Sequence, residues 1–227
     1  MNARVPAGIV PEATAGGPPA CPLCRGKAST PYLTEPGRDY FQCPACRLVY
    51  LHPAQRLDRA AEKAQYDLHR NHPDDPSYRR FLGRAADVVI SLRPAPANAL
   101  DFGCGPGPTL SLMLREAGYQ CVDYDPVYAP DESLLQARYD IITCTEVIEH
   151  VHAPHRVWPM LIDLLEPGGL LVVMTKRVSS QQRFANWHYR QDPTHVCFYS
   201  EASFQWIAEQ FQLKLQLHGD DVISISR

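Results

Sequence analysis

Short apolar runs alternate along this chain with longer stretches in which apolar positions recur every three or four residues, and that alternation sets the expected order of elements. Runs near 98–103, 119–124, 139–145 and 169–175, each bounded by turn residues, predict strands mostly separated by helical stretches. Strands spaced by helices predict an α/β fold with a parallel sheet. Upstream, a helical period covers 58–66 and 77–92, broken by Asn71-His-Pro-Asp-Asp-Pro76. Downstream, 200–211 reads as a helix, and 212–218 and 222–226 as two strands joined by Gly219-Asp-Asp221. The run from Tyr139 to His150 reads as a strand passing directly into a helix.

Residues 1–20 break the pattern, since they mix Pro, Gly and Ala with almost no large apolar side chains. Such a segment buries too little surface to offset its ordering entropy, and a disordered leader is expected. The chain of 227 residues has room for one full α/β domain and a small appendage. A net charge of −3 with 45% hydrophobic residues gives no overall attraction to nucleic acid or to anionic membrane. Apolar runs stop well short of the roughly 20 residues that cross a bilayer, and the expected location is cytoplasmic.

Cysteine spacing changes the picture at 21–53. Cys21-Pro-Leu-Cys24 and Cys43-Pro-Ala-Cys46 form a C-x2-C-x18-C-x2-C pattern, the close pairing that tetrahedral thiolate coordination requires. A zinc ribbon is expected, with structural Zn2+ at about 2.3 Å from each sulfur supplying folding energy that so short a segment lacks. Four protein ligands leave no open position for catalysis at this metal. The ribbon is either a structural clip or a recognition module. The other cysteines, 104, 121, 144 and 197, read as small hydrophobes.

The candidate chemistry gathers around Asp101-Phe-Gly-Cys-Gly-Pro-Gly107, where an apolar run enters a three-glycine turn and Pro108 opens a helix. Glycine at 103, 105 and 107 frees the backbone for positive φ and for close approach of a ligand. The second strand ends at Asp125, a carboxylate able to accept from a ribose diol. With Glu146-Val-Ile-Glu-His150 and Leu-Glu-Pro-Gly-Gly169, these residues resemble the Rossmann-like S-adenosylmethionine (SAM)-dependent methyltransferases over about 75–227. The resemblance implies a seven-stranded, mostly parallel sheet flanked by helices across 93–227. It implies SAM as cofactor, held by Gly103, Gly105 and Gly107, by Asp125 on the ribose, and by Asp101 supporting the turn. The segment 54–92 then becomes a helical lid, with Tyr66, Tyr78 and Arg84 as candidates for the methionine carboxylate. One departure from the family is that only fourteen residues, Pro126 to Tyr139, stand where a helix and a further strand usually fit. Asp131 or Glu132 is the expected substitute for the usual adenine contact.

Glu146 and His150, four apart at an expected helix start, fall on one face near the mouth where open α/β sheets bind ligands. Glu146 is assigned to the cofactor, with a helix-terminal charge as its other reading. His152 and His155 follow in a loop without the carboxylates of a metal site. The stretch from Phe184 to Tyr199 is too polar for core and too aromatic for a linker. Its Asp-Pro-Thr-His-x-x-Phe-Tyr run resembles a motif of a bacterial methyltransferase subgroup. Trp187, His188, Tyr189 and Asp192 are candidate substrate-binding residues, and His195, His150 and Tyr199 candidate catalytic groups. His195 is either a general base or substrate ligand, or a histidine that fixes its own loop. The function expected is methyl transfer to a small-molecule acceptor such as a sugar or biosynthetic intermediate. The competing readings are RNA methylation through the ribbon, which a net acidic chain does not favour, and a non-catalytic interaction protein.

Overall fold

The computed structural model describes residues 18–68 and 72–227, so all but the end of the expected leader lies outside the described residues. In chain order the elements are β1 (Thr30–Glu35), β2 (Arg38–Gln42), β3 (Val49–Leu51), α1 (Arg59–Tyr66), α2 (Pro76–Leu92), β4 (Asn98–Phe102), α3 (Thr109–Glu116) and β5 (Gln120–Tyr124). They continue as β6 (Tyr139–Thr145), α4 (Pro154–Asp163), β7 (Leu165–Met174), α5 (Gln181–Ala185), β8 (Cys197–Phe198), α6 (Glu201–Phe211), β9 (Lys214–His218) and β10 (Val222–Ser226).

The main sheet has the order β5-β4-β6-β7-β10-β9. Pairing is parallel from β5 through β7, and β10 runs antiparallel to both β7 and β9. The expected seven strands are therefore six in a mixed sheet. The shortened stretch explains the loss: Asp125 pairs with Ala129 in an isolated bridge, and residues 132–136 form one 3-10 turn capped by Asp131. Too little chain remains for a crossover helix and a strand. A second correction concerns the helix expected at 146. Glu146 takes a left-handed φ of 52°, and α4 starts only at Pro154, whose missing N–H suits a first helical turn.

The segment 54–92 divides in two. The buried face of α2, Leu82, Ala85, Ala86, Val88 and Val89, packs into the core with Ala99, Ile141 and Val172, so α2 is a layer on the sheet. By contrast α1 buries no side chain fully. Among the described residues no helix is long and apolar enough to cross a membrane.

The ribbon at 21–53 does not stand apart. A second, antiparallel sheet runs β1-β2-β3-β8, and β8 comes from the polar aromatic segment far downstream of β3. Val49 and Tyr50 pair with Phe198 and Cys197, and one apolar core joins the ribbon to the main sheet.

Candidate functional site

The cysteines come together as their spacing predicts. Each Cys-Pro-x-Cys turn ends in a left-handed residue, Arg25 and Arg47, whose amide donates to the carbonyl of Cys21 or Cys43 at 3.0 Å. Cys21 Sγ lies 3.4 Å from Cys46 Sγ, and Cys24 Sγ 3.4 Å from Cys43 Sγ. All four sulfurs lie within 4.8 Å of one another. Tetrahedral Zn–S bonds of about 2.3 Å set sulfurs about 3.8 Å apart, so this donor set fits a zinc ion.

At the C-terminal ends of the parallel strands lie the glycine turn and the candidate residues around it. The buried Asp101, in β4, accepts from Thr143 Oγ1 at 2.7 Å, and burial pushes its carboxyl up to about 7. Gly103 has φ 79°, and a Cβ there would stand 2.4 Å from Val147 Cγ2. Gly105 has φ 64°, and a Cβ there would meet nothing within 4 Å, which leaves open space above the turn. Gly107 keeps an ordinary φ, so two of the three glycines use the freedom expected of all. Asp125 ties the turn to β5: Oδ2 accepts from the Gly105 amide at 3.1 Å, and Oδ1 from the amides of Val127 and Tyr128 at 2.7 and 3.0 Å. The strand-end cap is thus present. A glycine turn with open space over it, flanked by this carboxylate, fits a nucleoside cofactor.

Beside it lies a buried acidic group. Glu149, fully buried, accepts from the Tyr189 hydroxyl at 2.5 Å, and the same oxygen stands 3.3 Å from Glu146 Oε2. Thr175 Oγ1 is 3.1 Å from that phenol. Burial foremost pushes both carboxyls up, Glu146 to about 7 and Glu149 to about 8. Glu146 Oε1 and Glu149 Oε2 find no hydrogen-bond partner among the described residues.

Two imidazoles face this group. The His150 and His195 rings meet edge to face at 4.6 Å, and His150 Nε2 lies 3.9 Å from Glu149 Oε1. His195 Nδ1 lies 2.6 Å from the Tyr189 carbonyl. A carbonyl only accepts, so Nδ1 carries the proton and Nε2 is the basic nitrogen of the neutral ring. The Tyr66 ring, at the end of α1, stands edge-on to His150 at 5.4 Å, and burial pushes its phenol up. Asp192 Oδ2 is 3.9 Å from His195 Nε2. Burial pulls the Asp192 carboxyl upward, but bonds from the Thr194 hydroxyl and amide outweigh it and hold the group below its usual range.

The other candidates fall elsewhere. Tyr199 is fully buried, accepts from Trp158 Nε1 at 3.2 Å and stacks on Phe204, so it belongs to the core and does not reach the cleft. Trp187 packs 5.0 Å from the Tyr189 ring, while the exposed His188 meets Lys176 Nζ at 3.0 Å. Glu146 and His150 lie along one turn rather than on one helix face, Glu146 reaching the Tyr189 hydroxyl and His150 standing beside Glu149. Arg84 pairs with Asp221 and lies over Phe81, and Tyr78 stacks on Phe81. Asp131 caps its own turn through Ser133, and Glu132 sits exposed in it. His152 pairs with Glu62 at 2.6 Å, and His155 Nδ1 meets the Pro22 carbonyl at 3.0 Å. Glu149 belongs to the Glu-Val-Ile-Glu-His run that the resemblance places along the cofactor and substrate side, but nothing in the sequence singles it out, because its full burial leaves no mark there.

The family described as "Methyltransferase domain" matches residues 74–218. A ubiquinone biosynthesis O-methyltransferase of Xanthomonas axonopodis pv. citri is 31% identical over 143 residues, covering 52% of this chain and 59% of that protein. Its Escherichia coli namesake is 36% identical over 76 residues, 33% of this chain and 31% of the relative. The chain thus spans at most about three fifths of the length of these curated relatives. Among solved structures, the 1,6-didemethyltoxoflavin N1-methyltransferase of Burkholderia thailandensis matches with a TM-score of 0.52 at 14% identity, over 86% of this chain and 97% of that one.

Proposed function

Since the chain belongs to the methyltransferase-domain family, we propose that it transfers a methyl group from SAM to a small-molecule acceptor bound between α1 and the 187–195 segment. Bound SAM supplies an electrophilic methyl group. The chain's own part is to hold the nucleoside at the Gly103–Gly107 turn, with Asp125 reaching the ribose and Asp101 bracing the turn from β4. Glu146 faces the same space from the end of β6. Tyr66 closes the mouth from above and helps exclude water.

The observation that carries this reading is the run of ring contacts Tyr66–His150–His195–Tyr189, from segments far apart in sequence, which ends 3.3 Å from Glu146, the chain neighbour of the Val147 that packs on Gly103 of the glycine turn. His195 Nε2, held in its basic tautomer by the Tyr189 carbonyl, is placed to take the proton of an acceptor hydroxyl or amine. Tyr189 and Asp192 line the acceptor side, with Trp187 behind them; His188 stands at the exposed rim with Lys176. Zinc in the ribbon is structural in this reading, because its four thiolates close the coordination shell.

The test is calorimetric and kinetic. Wild type binds S-adenosylhomocysteine, Asp125→Ala loses that binding while unfolding cooperatively, and His195→Ala keeps it but releases no S-adenosylhomocysteine from SAM with an acceptor found by metabolite screening. Unchanged affinity in Asp125→Ala removes the ribose role, and retained turnover in His195→Ala removes the base.

A further inference from the structure

The acceptor segment is held from two sides: the turn after β6 takes the amides of Val196 and Cys197 on the Glu149 carbonyl and accepts from Tyr189, and the ribbon clamps it from the other side. The β1–β2 hairpin carries Glu35 and Arg38 at its tip, around Gly37 with φ 78°. Arg38 Nη2 reaches the carbonyls of both Asp192 and His195 at 3.3 Å. Glu35 grips the buried Arg190 in a two-point pair at 2.5 and 2.7 Å, and Tyr40 donates to the Arg190 carbonyl at 3.4 Å. Behind the tip, the Leu51 amide donates to Val196 at 2.9 Å, and β3 pairs with β8. At its other end the hairpin runs into Cys43, one of the four thiolates, immediately after β2.

An ion pair with a buried partner, as Glu35 makes with Arg190, gives geometry more than net stability. Its setting here is specific: the other clamps all land on backbone between 190 and 196, the stretch that presents His195. Such clamps on the glycine turn are absent among the described residues; that turn is tied instead to β5 through Asp125 and Tyr124.

Resting on the reading of the cleft given above, we infer that Glu35 and Arg38 are positioning residues for His195, so that metal in the four-cysteine centre governs the acceptor side of the site and leaves the nucleoside side unaffected. Loss of the metal frees β2 at Cys43, the hairpin tip loses its register, and the carbonyls of Asp192 and His195 lose the Arg38 donor. The ribbon is in this reading a brace on the segment that forms the acceptor side.

The experiment compares hydrogen exchange and S-adenosylhomocysteine affinity in the zinc-loaded full chain and in Arg38→Met, Arg38→Lys and Glu35→Gln. Amides at 192–197 are expected to exchange at least tenfold faster in Arg38→Met. Those at 99–107 should keep their rates, affinity should change less than twofold, and Arg38→Lys should recover part of the protection. The His195 ring resonances should shift in Arg38→Met. Where a variant folds poorly, graded chelation of wild type gives the same reading, with loosening at 38–43 and 192–197 before 99–107. Unchanged exchange at 192–197, or loosening spread equally to 99–107, overturns the inference. If wild type fails to bind S-adenosylhomocysteine, the proposed function falls, while the exchange data still decide this point.

Discussion

The Tyr189 hydroxyl donates a 2.5 Å hydrogen bond to Glu149, a carboxylate with no exposure to solvent. This bond joins the segment after β7 to the turn after β6, and it is among the few donors serving a buried acidic pair. In the fold the Glu149 carboxyl is pushed up to about 8, so the folded state holds a proton that the unfolded chain has released above about pH 4.5. Stability from this group therefore declines as pH rises from about 4.5 through 8. Tyr189→Phe removes a donor to the charged form, and its cost should be small at pH 6 and about 1–3 kcal/mol at pH 8.5. Urea unfolding at the two pH values reads the difference, and an equal cost at both would show that Glu149 does not change ionisation between them.

Asp101 predicts the same direction at a second site. Its folded carboxyl is raised to about 7, so ionising it on the way from pH 4 to pH 7 destabilises the fold. Asp101→Asn keeps an acceptor for the Thr143 hydroxyl and removes the ionisation. Relative to wild type, the variant should gain about 1–3 kcal/mol between pH 5 and pH 8. A stability difference that does not vary with pH would contradict the raised value.

Gly103 is restricted twice, by φ of 79° and by Val147. Gly103→Ala should lose about 1–2 kcal/mol from the left-handed backbone, plus the cost of the clash. Adding Val147→Ala removes the contacts at 2.4 and 2.9 Å and leaves a tight one of 3.2 Å to its Cβ together with the backbone term. Denaturant midpoints of the single and double variants should therefore show partial rescue, and full rescue would mean the backbone is relaxed there.

Tyr199 tests the correction made above. Because its hydroxyl accepts from Trp158 in the core, Tyr199→Phe should cost about 1 kcal/mol and leave S-adenosylhomocysteine affinity unchanged. A variant of normal stability that no longer turns over acceptor would return Tyr199 to the site.

The thiolate cluster predicts one zinc per chain by elemental analysis, lost in Cys46→Ser. Structural zinc supplies folding energy, so chelation should lower the melting temperature of wild type and change that of the metal-free variant little.

Much of the fold was readable in the residues. Apolar runs bounded by turn residues located the parallel strands, and a 3.6 period located α2, to within a few residues, because a central parallel strand buries both faces and a helix repeats its buried face each turn; the terminal β9–β10 hairpin was legible around Gly219-Asp-Asp221. The four-cysteine centre and the glycine turn were legible for a similar local reason, since spacing alone brings the thiolates of each pair and the turn glycines into position. The fourteen-residue gap flagged a departure from the family sheet but not its outcome, a missing strand. The helix at Glu146 was misread because a left-handed φ at a non-glycine residue leaves no mark in periodicity.

What the amino-acid order determined by itself is therefore the set of local pieces: strands, helices, the metal knuckles, and a nucleotide-type turn with its carboxylate. Tertiary structure alone decided that β8 joins the ribbon sheet, that His150 meets His195, that Tyr199 belongs to the core, and that Glu149 is sealed from water. Those pairings span from about 40 to just under 150 positions of chain, and contact at such separations follows from packing the whole core rather than from any nearby pattern.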